Sequence, residues 1–154
     1  MDFRIIPGDF SDPRVVALLT LHFTENRAVT PAGSAHVLDL KAMQVPDIAF
    51  FTLFAGENLF GMGALKRLNA AEGEVKSMRT INEAKRKGYA SAMLLHLIAE
   101  GRKQGLKRLY LETGSFDYFR PARELYARHG FIECGPYAGY QADPNSTFMQ
   151  LDLT

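Results

Sequence analysis

The chain has 154 residues, 47% of them apolar and 23% charged, with a formal net charge of +1. That size suits one compact domain with a self-sufficient core, residues 1–154, and the near-neutral balance excludes a molecule that meets nucleic acid or an anionic membrane through its overall charge. Cys134 is the only cysteine, so an internal disulfide is ruled out; no run approaches a membrane span and the N-terminus lacks signal-peptide patterning, which together predict a cytoplasmic protein.

In chain order, "DFRII" reads as a first strand and "PGDFSDP" as turn material. Asp12 followed by Pro13 suits a helix N-cap and first helical position, and Val15, Val16, Leu18, Leu19 and Phe23 give an amphipathic helix ending near Asn26. A loop follows, with a second short helix predicted from Ala35 to Met43, before Pro46. "IAFFTLFAGENLFGMGALKRL" predicts two strands joined at Gly56, Glu57 and Asn58, and "EGEVKSMRTI" a fourth strand. Ala90, Met93, Leu94, Leu97 and Ile98 fall at i, i+3, i+4, i+7 and i+8, the strongest helical pattern in the chain, and Gly105 stops it. "KRLYLET" is a fifth strand, Pro121 to His129 a further helix stopped by Gly130, and "GFIEC" and "STFMQLDL" the last two strands. The order βααββ, βαβ, αββ predicts a mixed α/β domain with one central crossover unit.

"KRKGYASAM", Lys85 to Met93, joins the fourth strand to the strongest helix. The first N–H groups of a helix lack intrahelical partners and its dipole favours negative charge, so strand, basic turn, glycine, helix is a phosphate-binding geometry. The same turn also reads as an ordinary solvated basic turn, and local geometry does not separate the two. It matches neither the P-loop nor the dinucleotide fingerprint.

With its flanks, "EVKSMRTINEAKRKGYASAMLLHLI" resembles the acetyl-CoA-binding signature of the GNAT N-acetyltransferase superfamily, in the form Lys85, Arg86, Lys87, Gly88, Tyr89, Ala90. "ARELYARHGF" is similar to the family's second signature, and "KSMRT", "LETGS", "PARELY" and "DPNSTFM" look closest to its YsnE-like subgroup. The resemblance implies a GNAT-like fold of about seven strands and about four helices. It implies acetyl-CoA as cosubstrate, its diphosphate on turn amides from Arg86 to Ser91 beside Lys85, and its pantetheine arm along backbone groups of Met78 and Thr80.

Acetyl transfer needs a base for the amine, a donor for the oxyanion and an acid for the leaving thiolate. The resemblance assigns the acid to Tyr126 and the base to Glu74, with Glu112 as competitor. Tyr126 also reads as a ring packed on the sheet, either carboxylate as an exposed strand-end group, and the relay as water. His36, Phe119 and Tyr140 are candidate acceptor contacts. Phe119 stands where the family often has an asparagine that touches the cofactor, Phe116 and Tyr118 flank it, and Tyr137, Tyr140 and Asn145 belong to a second loop of lid character. His22, His36, His96 and His129 have no metal spacing, so no metal is expected. The implied activity is direct N-acetylation of a small-molecule or amino-acid-like amine, with protein N-termini or non-catalytic acyl-CoA sensing as alternatives. The partner is that amine, without nucleic acid or membrane, and the family's habit of dimerising adds a homodimer.

Overall fold

The computed structural model describes residues 2–29, 40–81 and 88–154. Its elements are β1 (Arg4–Pro7), α1 (Pro13–Val29), β2 (Ile48–Ala55), β3 (Asn58–Arg67), β4 (Glu72–Thr80), α2 (Tyr89–Lys103), β5 (Arg108–Gly114), a 3-10 turn (Asp117–Phe119), α3 (Arg120–Arg128), β6 (Ile132–Cys134) and β7 (Ser146–Asp152). The seven strands form one sheet in the order β1-β2-β3-β4-β5-β7-β6. Every neighbouring pair is antiparallel except β4 and β5, which are parallel and joined by the crossover helix α2. This is the mixed α/β sheet expected from the sequence.

The helices start and stop for local reasons. Asp12 Oδ1 accepts the Arg14 N–H at 2.9 Å while Pro13 opens α1 with no donor to lose. At the end of α2, Gly105 turns left-handed (φ 80°) and the Leu106 N–H reaches back to the Gly101 carbonyl at 2.9 Å, with Leu106 buried beneath the turn.

Two apolar clusters cover opposite faces of the sheet. On one, Met93, Leu94, Leu97 and Ile98 of α2 and Leu125 of α3 meet Leu53, Leu65, Val75, Leu109 and Leu111. The helix lies close because β3 carries glycine beneath it: a Cβ at Gly63 would lie 2.8 Å from Met93, while Gly73 of β4 makes room for Leu106 just past the helix, 2.7 Å from where a Cβ would sit. On the other face, Val15, Leu18, Leu19 and Phe23 of α1 meet Met43, Phe50, Met62 and Ala64. Fully burying one such Leu contributes about 1.5–3 kcal/mol, so both faces hold their helices through apolar area.

Of the predicted helix from Ala35 to Met43, residues 35–39 lie outside the described residues, and 40–43 are turn rather than helix. The chain folds here through turn bonds such as Gln44 N–H to Lys41 O at 3.1 Å, and Pro46 keeps Val45 from extending a helix. The described residues thus hold three α-helices, not four, plus a 3-10 turn ahead of α3 that the sequence pattern does not show. No helix among them is long and apolar enough to cross a membrane.

Candidate active site

The site begins where the parallel ladder ends. The β4 and β5 registers run from Glu72↔Arg108 to Val75↔Leu111 and stop, although β4 continues to Thr80 and β5 to Gly114. Ser77 takes a left-handed conformation (φ 56°) and the β3–β4 register slips between Met62 and Ala64, a bulge that bends β4 away from β5. Beyond it, β3 pairs with Arg79 and Thr80 on one side. Among the described residues no strand pairs with the other side of Lys76 to Thr80. Backbone donors and acceptors of Met78 and Thr80 therefore border a gap in the sheet. The Met78 side chain packs toward the α2 cluster.

The N-terminus of α2 opens beside this gap. Its N-cap, Gly88, is left-handed (φ 83°), no side chain caps it, and the first turn carries no acidic residue. A Cβ built on Gly88 meets nothing within 4 Å. Among the described residues nothing competes for the first-turn N–H groups of Tyr89, Ala90 and Ser91. The Tyr89 ring is anchored in the core, stacked on Phe60 at 5.5 Å. Ser91 Oγ lies 3.1 Å from His129 Nε2, which ties the first turn of α2 to the end of α3. Lys85, Arg86, Lys87 and His36 lie outside the described residues.

Tyr126 is buried on α3 with its ring edge-on to Phe131 at 5.9 Å. Burial, aided by the nearby Glu112 carboxylate, pushes its phenol well above the ordinary value of 10.0, so it holds its proton at neutral pH. Glu112 accepts a hydrogen bond from Ser146 Oγ at 2.8 Å and sits on the splayed end of β5. Its charge also reaches Tyr137 and Tyr140.

Glu74, one of the two carboxylates that the sequence leaves open as an exposed strand-end group, is 3% exposed. Tyr137 and Tyr140 each donate their hydroxyl to its Oε2 at 2.7 Å, and Lys76 Nζ lies 3.4 Å from the same oxygen. Lys76 also donates to Tyr140 Oη at 3.0 Å. Burial, then the adjacent Glu74 charge, raises both phenols far above their usual pKa. A tight turn aims them: the Tyr140 N–H bonds the Tyr137 carbonyl at 2.9 Å across Ala138 (φ 46°) and Gly139 (φ 85°). Holding alanine left-handed costs about 1–2 kcal/mol, a cost the four-residue polar network offsets. Tyr137 is fixed further by stacking on Tyr110 at 4.5 Å.

A second polar group bridges the rim. Arg79, past the bulge, pairs with Glu25 of α1 at 2.6 Å, and Tyr118 of the 3-10 turn donates to the same carboxylate at 3.4 Å. Phe119 lies over Gly114 at the end of β5, its ring edge-on to Tyr118 at 4.9 Å.

A parallel pair that opens over a bulge beside an uncapped, glycine-led helix is matched by sequence: the family model for the acetyltransferase (GNAT) family covers residues 14–131. The chain belongs to the GNAT acetyltransferase family. It is 45% identical to the uncharacterised N-acetyltransferase YsnE of Bacillus subtilis over 145 residues, 94% of this chain and 96% of the relative. It is 40% identical to the uncharacterised N-acetyltransferase YedL of Escherichia coli over 151 residues, 98% and 95% of the two chains. In fold it is similar to a Bacillus subtilis acetyltransferase solved in complex with CoA, with a TM-score of 0.74 at 18% identity, covering 99% of this chain and 100% of that one. As a GNAT chain it is a transferase of the CoA-binding, N-acetyltransferase class, with an acyl-CoA as its cosubstrate.

The geometry joins Glu74 of β4 to Tyr140 and brings Tyr140 and Tyr126 within reach of the charge of Glu112 on β5. The sequence reading missed Lys76 and the bridge of Glu25, Arg79 and Tyr118. Lys76 had a signal: it stands two residues after Glu74 on a strand, hence on the same face.

Proposed function

We propose that this GNAT chain, acting as one domain in the cytoplasm, is an acetyl-CoA-dependent N-acetyltransferase that acetylates the amine of a small molecule by direct transfer. The observation that supports it best is the gap between β4 and β5, bordered by α2 amides that have no partner among the described residues and by Glu112, whose charge reaches Tyr126. Bound acetyl-CoA supplies the thioester carbon. The backbone of Met78 and Thr80 takes its pantetheine arm as an added strand, and the amides of Tyr89, Ala90 and Ser91 hold its diphosphate, with Lys85, Arg86, Lys87 and Gly88 as further candidate contacts. The open space over Gly88 and the absence of an acidic residue in the first turn fit that anion.

Glu112 takes the proton of the acceptor amine, whose nitrogen bonds the carbonyl carbon as the carbon–sulfur bond breaks. Tyr126 gives its proton to the departing thiolate. Glu74 is the weaker base candidate, because its Oε2 already accepts two phenols and faces Lys76. Its role is to hold Tyr140 and Lys76, while Phe119 walls the gap and His36 is a candidate on the acceptor side.

Calorimetric titration with acetyl-CoA and a panel of primary amines followed by free-thiol release test this. The expected result is saturable binding and turnover by at least one amine, with Tyr126→Phe lowering kcat by about 10²-fold or more and leaving affinity within about threefold. No binding of acetyl-CoA, or full activity in Tyr126→Phe, contradicts it.

A further inference from the structure

We infer that Lys76 and Tyr140 form an anion subsite for the acceptor, which is an α-amino acid or a closely related amine bearing a carboxylate. The inference rests on the acetyltransferase reading above and deepens it.

The last parallel pair is Val75↔Leu111. Lys76 and Glu112 are therefore the next residues on either strand, the first positions after the ladder opens. Both side chains lie on the α1 side of the sheet. Lys76 shares its face with Glu74, to which it is bonded, and Glu112 shares its face with Tyr110, whose ring stacks on the tyrosine that binds Glu74. The head of the gap thus presents an ammonium on one strand and a carboxylate on the other. A zwitterion lying across it would set its carboxylate on Lys76 and its amine toward Glu112, the proposed base.

The Lys76 side chain is only 9% exposed. Replacing a buried ion pair by apolar residues of similar volume is often neutral or stabilising, so such a pair has little reason to persist for stability alone. Lys76 has three N–H donors. One goes to Tyr140 Oη at 3.0 Å and one faces Glu74 Oε2 at 3.4 Å. Among the described residues no acceptor meets the third. Lys76 lies 3.4 Å from a Glu74 oxygen that also accepts two phenols, a longer approach than either phenol makes at 2.7 Å. Arg79, the other cation near the gap, is paired with Glu25 at 2.6 Å. Tyr140 is oriented by its bond to Glu74, so its oxygen holds the Lys76 head in place beside the gap.

The test compares free amino acids with the corresponding α-carboxamides as acceptors, measuring kcat and KM by CoA release, alongside an acetyl-CoA titration of each variant. Wild type is expected to favour the acids in kcat/KM by at least about tenfold. Lys76→Met should shrink that ratio to within about threefold, chiefly by raising KM for the acids. Tyr140→Phe, which keeps the ring, should shrink it in the same direction and stands in if Lys76→Met does not fold. Carboxamides used as well as or better than acids by wild type would overturn the subsite. So would a variant that slows acids and carboxamides by the same factor. Turnover of uncharged amines alone sinks this inference and leaves the acetyltransferase reading intact, whereas a silent acetyl-CoA titration sinks both.

Discussion

On the α2 face of the sheet, Leu94, Leu97 and Leu109 are completely buried among aliphatic neighbours. On the opposite face of the same strands, Glu74 and Lys76 are buried as charges, held by two phenols and each other. The alternation of β4 puts Val75 in the first setting and its two neighbours in the second. The apolar face is stabilised by area, so truncating one residue costs chiefly its own buried area and the cavity it leaves. The polar face holds only while every partner is present, and removing one leaves others buried without compensation.

Glu74→Ala should therefore have the largest effect on stability, about 3–5 kcal/mol, because it strands the Lys76 ammonium and two hydroxyls. In urea titrations, Glu74→Ala combined with Lys76→Met should lose less than Glu74→Ala alone. An additive double mutant would erase the distinction between the faces. Leu94→Ala should cost about 2–5 kcal/mol through the cavity it leaves, and this loss should add to that of Glu74→Ala without coupling.

Alkali should act on both faces. Tyr137 and Tyr140 of the polar face and Tyr126 of the apolar cluster all have folded-state pKa values raised above 10.0. Above about pH 10 the unfolded chain loses phenolic protons that the folded chain keeps, so stability present at lower pH falls as pH rises. Denaturation midpoints between pH 9 and 11 should fall, and less so in Tyr137→Phe. Acid gives a smaller effect of the other sense. Burial, with Arg79 adding and Glu25 opposing, lowers His22 from 6.5 to about 4. Between those values the unfolded chain binds a proton that the folded chain does not, so stability should decline as pH falls through that window. His22→Gln should flatten that slope.

Much of this fold was legible in the sequence because its signals are local. The α2 periodicity, the glycine stops at Gly105 and Gly130 and the Asp12–Pro13 start act within a few residues. The two family signatures named Tyr126 and the glycine-led turn of α2 as candidates, and the structure puts Gly88 at the N-cap of α2 and Tyr126 on α3. What stayed hidden is long-range. Tyr137 and Tyr140 meet Glu74 across 63 and 66 residues, and Arg79 meets Glu25 across 54. No period or spacing encodes such contacts. The bulge was equally silent, since Ser77 carries no glycine or asparagine signal for the left-handed backbone it adopts, and its effect appears only in the β3 register. Glu74 was named as a candidate by the family resemblance, but whether it was an open base or a buried anchor depended on residues from another part of the chain.

Backbone hydrogen exchange with and without acetyl-CoA tests the central claim most directly, namely that the opening between β4 and β5 receives the cosubstrate as an added strand beside the α2 amides. The account predicts new protection concentrated at Met78, Thr80 and residues 88–91, with little change in β1, β2 and β6. Binding that protects some other surface and leaves β4 and the start of α2 unchanged would contradict it.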